Sequence, residues 1–389
     1  MYRAALFSLV VFVCWSWPCR FDVLAAQEKK KDPLDETIAG KTVGEWIKIL
    51  RTHENPKFRR AALIALEAGD AAGRTALPAL LNAIEKDKDA QVRQEAVMLL
   101  GRLGPKTNGA LKALMEALQT DKADEVREAA ATAIASEKFT EASVAYVSVL
   151  ANAMKDPHAG TRVAVAGALR NLGENARPAF GVLIESARNP KEHVLVREAA
   201  VHVVSRYGKD NAQTVPLLLD LLKGGDSPTV LREAAADGLG RSGSDAAEII
   251  AALAQALEDK SIELRKAAAV ALGTLSLNAK SAWPAVKERL AYKTAKDRLV
   301  PVEPDSGVRN TLTRLTGTLA KSTPEAIPVL ASVAKNDEST ETRIAAIQEL
   351  GELGSVPKEA RDTLRVIAAQ DARAAVREAA AKALKQLGG

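Results

Sequence analysis

The amino-acid sequence predicts an all-α solenoid of about ten two-helix repeats, and three observations predict it. The pentapeptide VREAA occurs at 126–130, 196–200 and 376–380, with LREAA at 231–235. The arginine of that stretch recurs as Arg59, Arg93, Arg127, Arg162, Arg197, Arg232, Arg265, Arg309, Arg343 and Arg377, with gaps of 34, 34, 35, 35, 35, 33, 44, 34 and 34 residues. A fixed period in this range marks a stacked array, whose units cannot bury their apolar sides alone and do so against their neighbours. Finally, apolar residues make up 47% of the chain but aromatics only 4%. The core is therefore Ala, Leu, Val and Ile, which favours close-packed helices over a sheet.

Taken in order, the elements begin with a targeting segment. Arg3 supplies a positive start, Ala4 to Trp17 are apolar, Pro18 breaks the run, and Val23-Leu24-Ala25-Ala26 offers small residues for cleavage near Gln27. Residues 1–26 are thus expected to be a signal peptide, too short in its apolar part for a span of about 20 residues. Cys14 and Cys19 both lie within it. The mature chain would then carry no thiol for disulfides, nucleophilic catalysis or metal ligation. Residues 27–40, with Lys29-Lys30-Lys31 between Glu28 and Asp32, read as a charged linker, and residues 41–389 as the array. Thr42 and Glu45 fit a capping box ahead of Trp46, Ile47 and Leu50, so the first helix starts there, with Trp46 in the core.

Within a unit the pattern gives two helices. In ALPALLNAIEKD (76–87), Leu77, Leu80, Leu81 and Ile84 share one helical face. A short acidic turn leads to QVRQEAVMLLGRLG (91–104). There the residue before the arginine is usually Val, Phe or Leu, the third after it usually Ala and the seventh after it apolar except at Thr316, and together they form one apolar stripe. Pro78, Pro178, Pro216, Pro284 and Pro328 fall near the start of first helices, where a missing N–H costs least. Gly104, Gly173, Gly208, Gly243, Gly354 and Gly388 stand at the eleventh offset, where a helix ends in a left-handed conformation. Asp87, Asp121, Asp156, Asp226, Asp259, Asp337 and Asp371 each lie six residues before an arginine, placed to cap the next helix or accept bonds from an arginine. The 44-residue gap locates an insertion near 291–307, between the two helices of the eighth unit.

The pattern PALLxAL, then Asp, then VRxxAAxALGxLG resembles HEAT-repeat proteins of the short type found in phycobilisome lyases, over residues 41–389. The resemblance implies a right-handed superhelix with first helices outside and second helices lining a concave face. It also implies an Asp–Arg ladder running from unit to unit. At roughly 9–10 Å per packed layer, ten units make a curved rod about 90–100 Å long. The arginine and glutamate of VREAA are parts of this repeat, and no function is assigned to them.

A search for chemistry yields little. Ala39-Gly40-Lys41-Thr42 lacks the first glycine of a phosphate-binding loop and belongs to the capping box instead. His53, His158, His193 and His202 share no ligand spacing, and Ser242 misses the nucleophile-elbow pattern by one place. No cofactor or metal site is expected, and no enzyme activity. The ninth position after the arginine is free to vary, and with Arg170 one place earlier it yields Arg102, Arg170, Arg206 and Arg241. These four are the candidate partner-binding residues, a basic strip suited to an acidic protein segment or a polyanionic glycan if they face the concavity. The net charge of +5 is spread along the chain and suggests no nucleic-acid partner.

The expected function is that of an exported, secreted or periplasmic, non-enzymatic scaffold that holds a protein or other polymer on its concave face. Two other readings stay open. One is a lyase- or glycosylase-type enzyme, to which export and the scarcity of aromatics are opposed. The other is a self-associating envelope component, because the last unit, AVREAAAKALKQLGG, looks like an internal repeat rather than a polar cap.

Overall fold

The computed structural model describes residues 32–206, 211–243, 246–295 and 298–388. The expected signal peptide and the first residues of the linker lie outside them. Ten helix pairs follow in sequence, each a first helix, a turn and a second helix. Unit one pairs α1 (Val43–Thr52) with α2 (Pro56–Glu67), and a short α3 (Asp70–Thr75) leads on. Units two and three are α4 (Leu77–Lys86) with α5 (Ala90–Leu103), and α6 (Ala110–Thr120) with α7 (Asp124–Ile134). After the single turn α8 (Thr140–Ser143), unit four pairs α9 (Val147–Ala153) with α10 (Ala159–Leu172). Unit five is α11 (Phe180–Arg188) and α12 (Val194–Arg206), unit six α13 (Thr214–Lys223) and α14 (Thr229–Arg241), unit seven α15 (Ala247–Ala256) and α16 (Ile262–Leu275). The last three are α17 (Trp283–Arg289) with α18 (Ser306–Ala320), α19 (Ala326–Asn336) with α20 (Thr340–Glu352), and α21 (Lys358–Gln370) with α22 (Ala374–Gln386). The fold is an all-α solenoid, as the period predicts.

Its curvature follows from side-chain size. Second helices lie against one another along their lengths, whereas successive first helices meet at only a few residues. Small residues permit this approach: a Cβ on Gly101 would stand 2.6 Å from that of Ala133, and one on Gly240 2.7 Å from the Cα of Ala271. A stack whose layers are closer on one side curves toward it, so the second helices line the inner face. The stripe that joins the layers is buried from unit two to unit nine, with Val92, Ala96 and Leu100 as its members in unit two, and only at the two ends does it open, at Phe58 and Leu384. Thr316 interrupts the pattern in unit eight at little cost, because its buried hydroxyl donates to the Leu312 carbonyl at 2.7 Å.

The segment expected to be a tether is partly folded. Residues Pro33–Asp35 form a turn, and β1 (Thr37–Ile38) pairs antiparallel with β2 (Lys41–Thr42). Trp46 packs half-buried beneath this hairpin and donates its indole N–H to the Ile38 carbonyl at 2.8 Å. The capping box is formed: the Glu45 N–H donates to Thr42 Oγ1, and the Thr42 N–H donates to Glu45 Oε2. The insertion in unit eight is a second hairpin, β3 (Tyr292–Ala295) with β4 (Arg298–Pro301). At the eleventh offset Gly104, Gly173, Gly243, Gly354 and Gly388 have positive φ, and so does Ser276 in unit seven at φ 57°. Gly208 lies outside the described residues.

The expected ladder is present and runs forward: eight of the ten arginines reach the turn of the following unit. Arg59 bonds Asp87, Arg93 bonds Asp121, Arg127 bonds Asp156, Arg309 bonds Asp337 and Arg343 bonds Asp371, most through two nitrogens at 2.7–3.0 Å. Arg232 pairs with Asp259 at 2.7 Å. In units two to four and seven to ten, a terminal nitrogen of the arginine also holds the carbonyl six residues back, as Arg93 holds Asp87 O. The aspartates do not cap the next helix directly. Instead Asp87 accepts the N–H of Asp89, which then caps α5 through the N–H of Val92. Units five and eight have no aspartate six places before their arginine. Even so, Arg162 is held by Glu192, and Arg265 by the fully buried Glu303 at the foot of the inserted hairpin. Asp226 is the exception in the other direction: it is exposed and bonds no arginine. Burial by itself would raise the carboxyl pKa of Asp121, Asp156, Asp259 and Glu303. The arginine bonds and the N–H two residues on outweigh it and hold all four below the ordinary carboxylate range.

Candidate partner-binding face

On the inner face, the residue five places after each ladder arginine points away from the packed stripe. This position carries Ile64, Met98, Thr132, Gly167, His202, Asp237, Val270, Arg314, Gln348 and Lys382. Ile64, Met98 and Val270 are 55%, 39% and 46% exposed. Between α5 and α7 the face opens into a groove of about 400 Å³. Met98, Gly101, Ala129 and Ala133 give it an apolar floor. Glu125 and Glu128 stand where the helices begin, and Arg102 and Lys138 where they end. Because the two helices run parallel, this polarity follows the favourable placement of acids at helix starts and bases at helix ends.

The four arginines expected to form a basic strip are all exposed, at the ends of second helices. They are not equivalent. Arg102 rims the groove, but its guanidinium is 2.6 Å from Glu67 of the preceding unit, and the Arg102 carbonyl accepts a bond from Lys138 Nζ. Arg241 is tied to Asp237 one turn earlier at 2.9 Å. Arg170 and Arg206 make no side-chain bond or ion pair among the described residues. The structure therefore leaves two of the four guanidinium groups uncommitted rather than a continuous strip.

An opposite charge was missed. Glu198 and Glu233 each stand one place after a ladder arginine, and Glu233 lies within reach of both Glu198 and Glu263, at the start of α16. Burial and then the charges of Glu263 and Glu198 push the Glu233 carboxyl above its ordinary value. No linear motif marks this trio, but tabulating the first offset unit by unit would have shown two consecutive glutamates. The rejected motifs have structural roles. Ala39 and Gly40 turn the first hairpin with φ of 47° and 80°, and the buried Ser242 hydroxyl donates to Leu239 O at 2.6 Å. Among the described residues no group of three His, Cys, Asp or Glu is placed to hold a metal ion, and no helix is long and apolar enough to cross a membrane.

Comparison with known proteins places the chain. The family profile described as HEAT repeats matches residues 43–135, 215–300 and 298–385. No curated protein matches the sequence. Solved structures that resemble it include Kap95p in a study of its binding to RanGDP, at 15% identity and a TM-score of 0.56, covering 89% of this chain and 50% of that one. They also include karyopherin Kap121p alone, at 15% identity and a TM-score of 0.54, and bound to the extreme C-terminus of the protein phosphatase Cdc14p, at 15% identity and 0.51. Both cover 89% of this chain and 41% of that one, so the chain spans half or less of the length of these proteins. At such identity the likeness is one of fold. With the ladder, the period and the profile in agreement over most of its length, the chain belongs to the HEAT-repeat family.

Proposed function

We infer that the protein is an exported, non-enzymatic scaffold that holds an extended segment of a partner protein along its inner face. The observation that carries this reading is the file of fifth-offset side chains, with Ile64, Met98 and Val270 exposed on the closely packed second helices. The chemistry of the face describes the segment. Apolar residues suit the Met98 groove, and basic residues suit units five to seven, where a cation would relieve the repulsion that Glu263 and Glu198 exert on Glu233. Of the four candidate arginines, an acidic stretch would find Arg170 and Arg206 free among the described residues. Support from relatives is limited to fold, although one of the similar karyopherins is described with a bound C-terminal peptide.

The test is site-specific photocrosslinking of the exported chain in its native cell. Probes at positions 64, 98 and 270 should capture a partner protein, while probes at 85 and 366 on first helices should not. Capture confined to the first-helix side would overturn the reading. N-terminal sequencing of the exported chain should begin near Gln27, and recovery of an intact Met1 in the cytosol would remove the export part.

A further inference from the structure

The ladder is broken once within the array, at Arg197, and the break has the form of a binding site. Eight arginines, Arg59, Arg93, Arg127, Arg162, Arg232, Arg265, Arg309 and Arg343, each hold a carboxylate of the next unit. Arg197 occupies the same place and is only 8% exposed, yet among the described residues no carboxylate meets it. Its one bond runs from Nε to the Ala187 carbonyl at 3.0 Å. Among the described residues its terminal nitrogens make no hydrogen bond, and neither is sealed from solvent. Burial lowers its pKa with no nearby charge to oppose the shift, whereas Arg93, Arg127 and Arg265 are raised by their partners.

The cause lies in the turns. In unit five the acid that reaches back stands five residues before the arginine rather than six: Glu192, which Arg162 holds. The matching residue of unit six is Ser227, whose side chain is too short to reach, while Asp226 beside it is exposed to solvent. A buried guanidinium without an anion is costly to keep. The first turn of the same helix also exposes Leu195 (50%), at a place where units two, three, seven and nine carry Gln91, Glu125, Glu263 and Glu341.

We propose that Arg197 is an anchor for a carboxylate supplied by the bound protein segment, an Asp or Glu side chain or a C-terminal carboxylate next to an apolar residue, which completes the missing rung from outside. The proposal rests on the reading of the chain as a holder of a protein segment, and its test reads Arg197 alone. The full mature chain, labelled with ¹⁵N-arginine, is titrated with N-acetyl-leucine for a terminal carboxylate, N-acetyl-glutamate α-amide for a side-chain carboxylate, and N-acetyl-leucinamide as the neutral control. The resonance absent in Arg197→Lys identifies the site. Expected is a saturable shift of that resonance by at least one carboxylate, with a dissociation constant on the order of millimolar, and none by the amide. The stronger of the two carboxylates tells which source the site prefers. Ser227→Glu places an acid in cis where Glu192 stands in the preceding turn, and should weaken the response about tenfold or more while raising the melting temperature. No saturable shift with either carboxylate, an equal response to the amide, or full binding in Ser227→Glu would each overturn the proposal. None of these outcomes bears on the inner-face crosslinks.

Discussion

At the scale of single residues, the same arginine–carboxylate pair has very different surroundings along the chain. Arg343 and Asp371 keep some contact with water, but the side chains of Arg309 and Asp337 are 1% and 0% exposed. Asp337 also accepts the hydroxyl of Tyr292 at 2.8 Å. Removing one member of a buried pair leaves a stranded charge, so Asp337→Ala should cost about 3–5 kcal/mol in urea unfolding. A loss below about 1 kcal/mol, the range of an exposed pair, would show that the rung contributes little. The depressed carboxyls of Asp121, Asp156, Asp259 and Glu303 fix the sign of the pH response. Their folded-state pKa values lie below the unfolded ones of about 3.9 and 4.3. Their contribution is therefore complete above that range and fades as pH falls through the folded values. Thermal stability should hold from pH 7 to about 5 and drop below about 4, and a drop already complete at pH 5 would contradict the assignment.

Among the elements, the second helices were the most legible and the turns the least. The period placed all ten second helices, because the apolar stripe has to repeat wherever layers stack. Glu192 and Glu303 were invisible because the expectation was an aspartate at one fixed spacing. In unit five the acid stands at the fifth place, and in unit eight a glutamate at the foot of an insertion fills the sixth. The hairpin itself could be located from the 44-residue gap but not its strands, since four residues a side is too short for a pattern. Of the candidate partner-binding residues, the exposure of all four arginines could be inferred from the offset. The ion pairs that occupy Arg102 and Arg241 could not, because Glu67 belongs to a different unit and Asp237 had no role in the repeat. The glycines of the second helices carry a separate prediction. Gly240→Ala sets a methyl against the backbone of Ala271, which cannot give way, and should destabilise by about 1–3 kcal/mol. Gly273→Ala, with nothing within 4 Å of the added carbon, is the control and should be neutral or slightly stabilising.

For the molecule as a whole, stability is close to a sum over layers, each joined to the next by a buried stripe and a rung. The contrast between its two sides has a mechanical outcome. The alanine–glycine seam fixes the spacing of layers along the inside, like the spine of a book, while the pages outside are held apart only by sparse contacts between first helices. Bending the coil more tightly or opening it thus changes mainly the outer spacing. The width of the channel available to a guest can accordingly be reset by substitutions on the outer rim that never touch the guest.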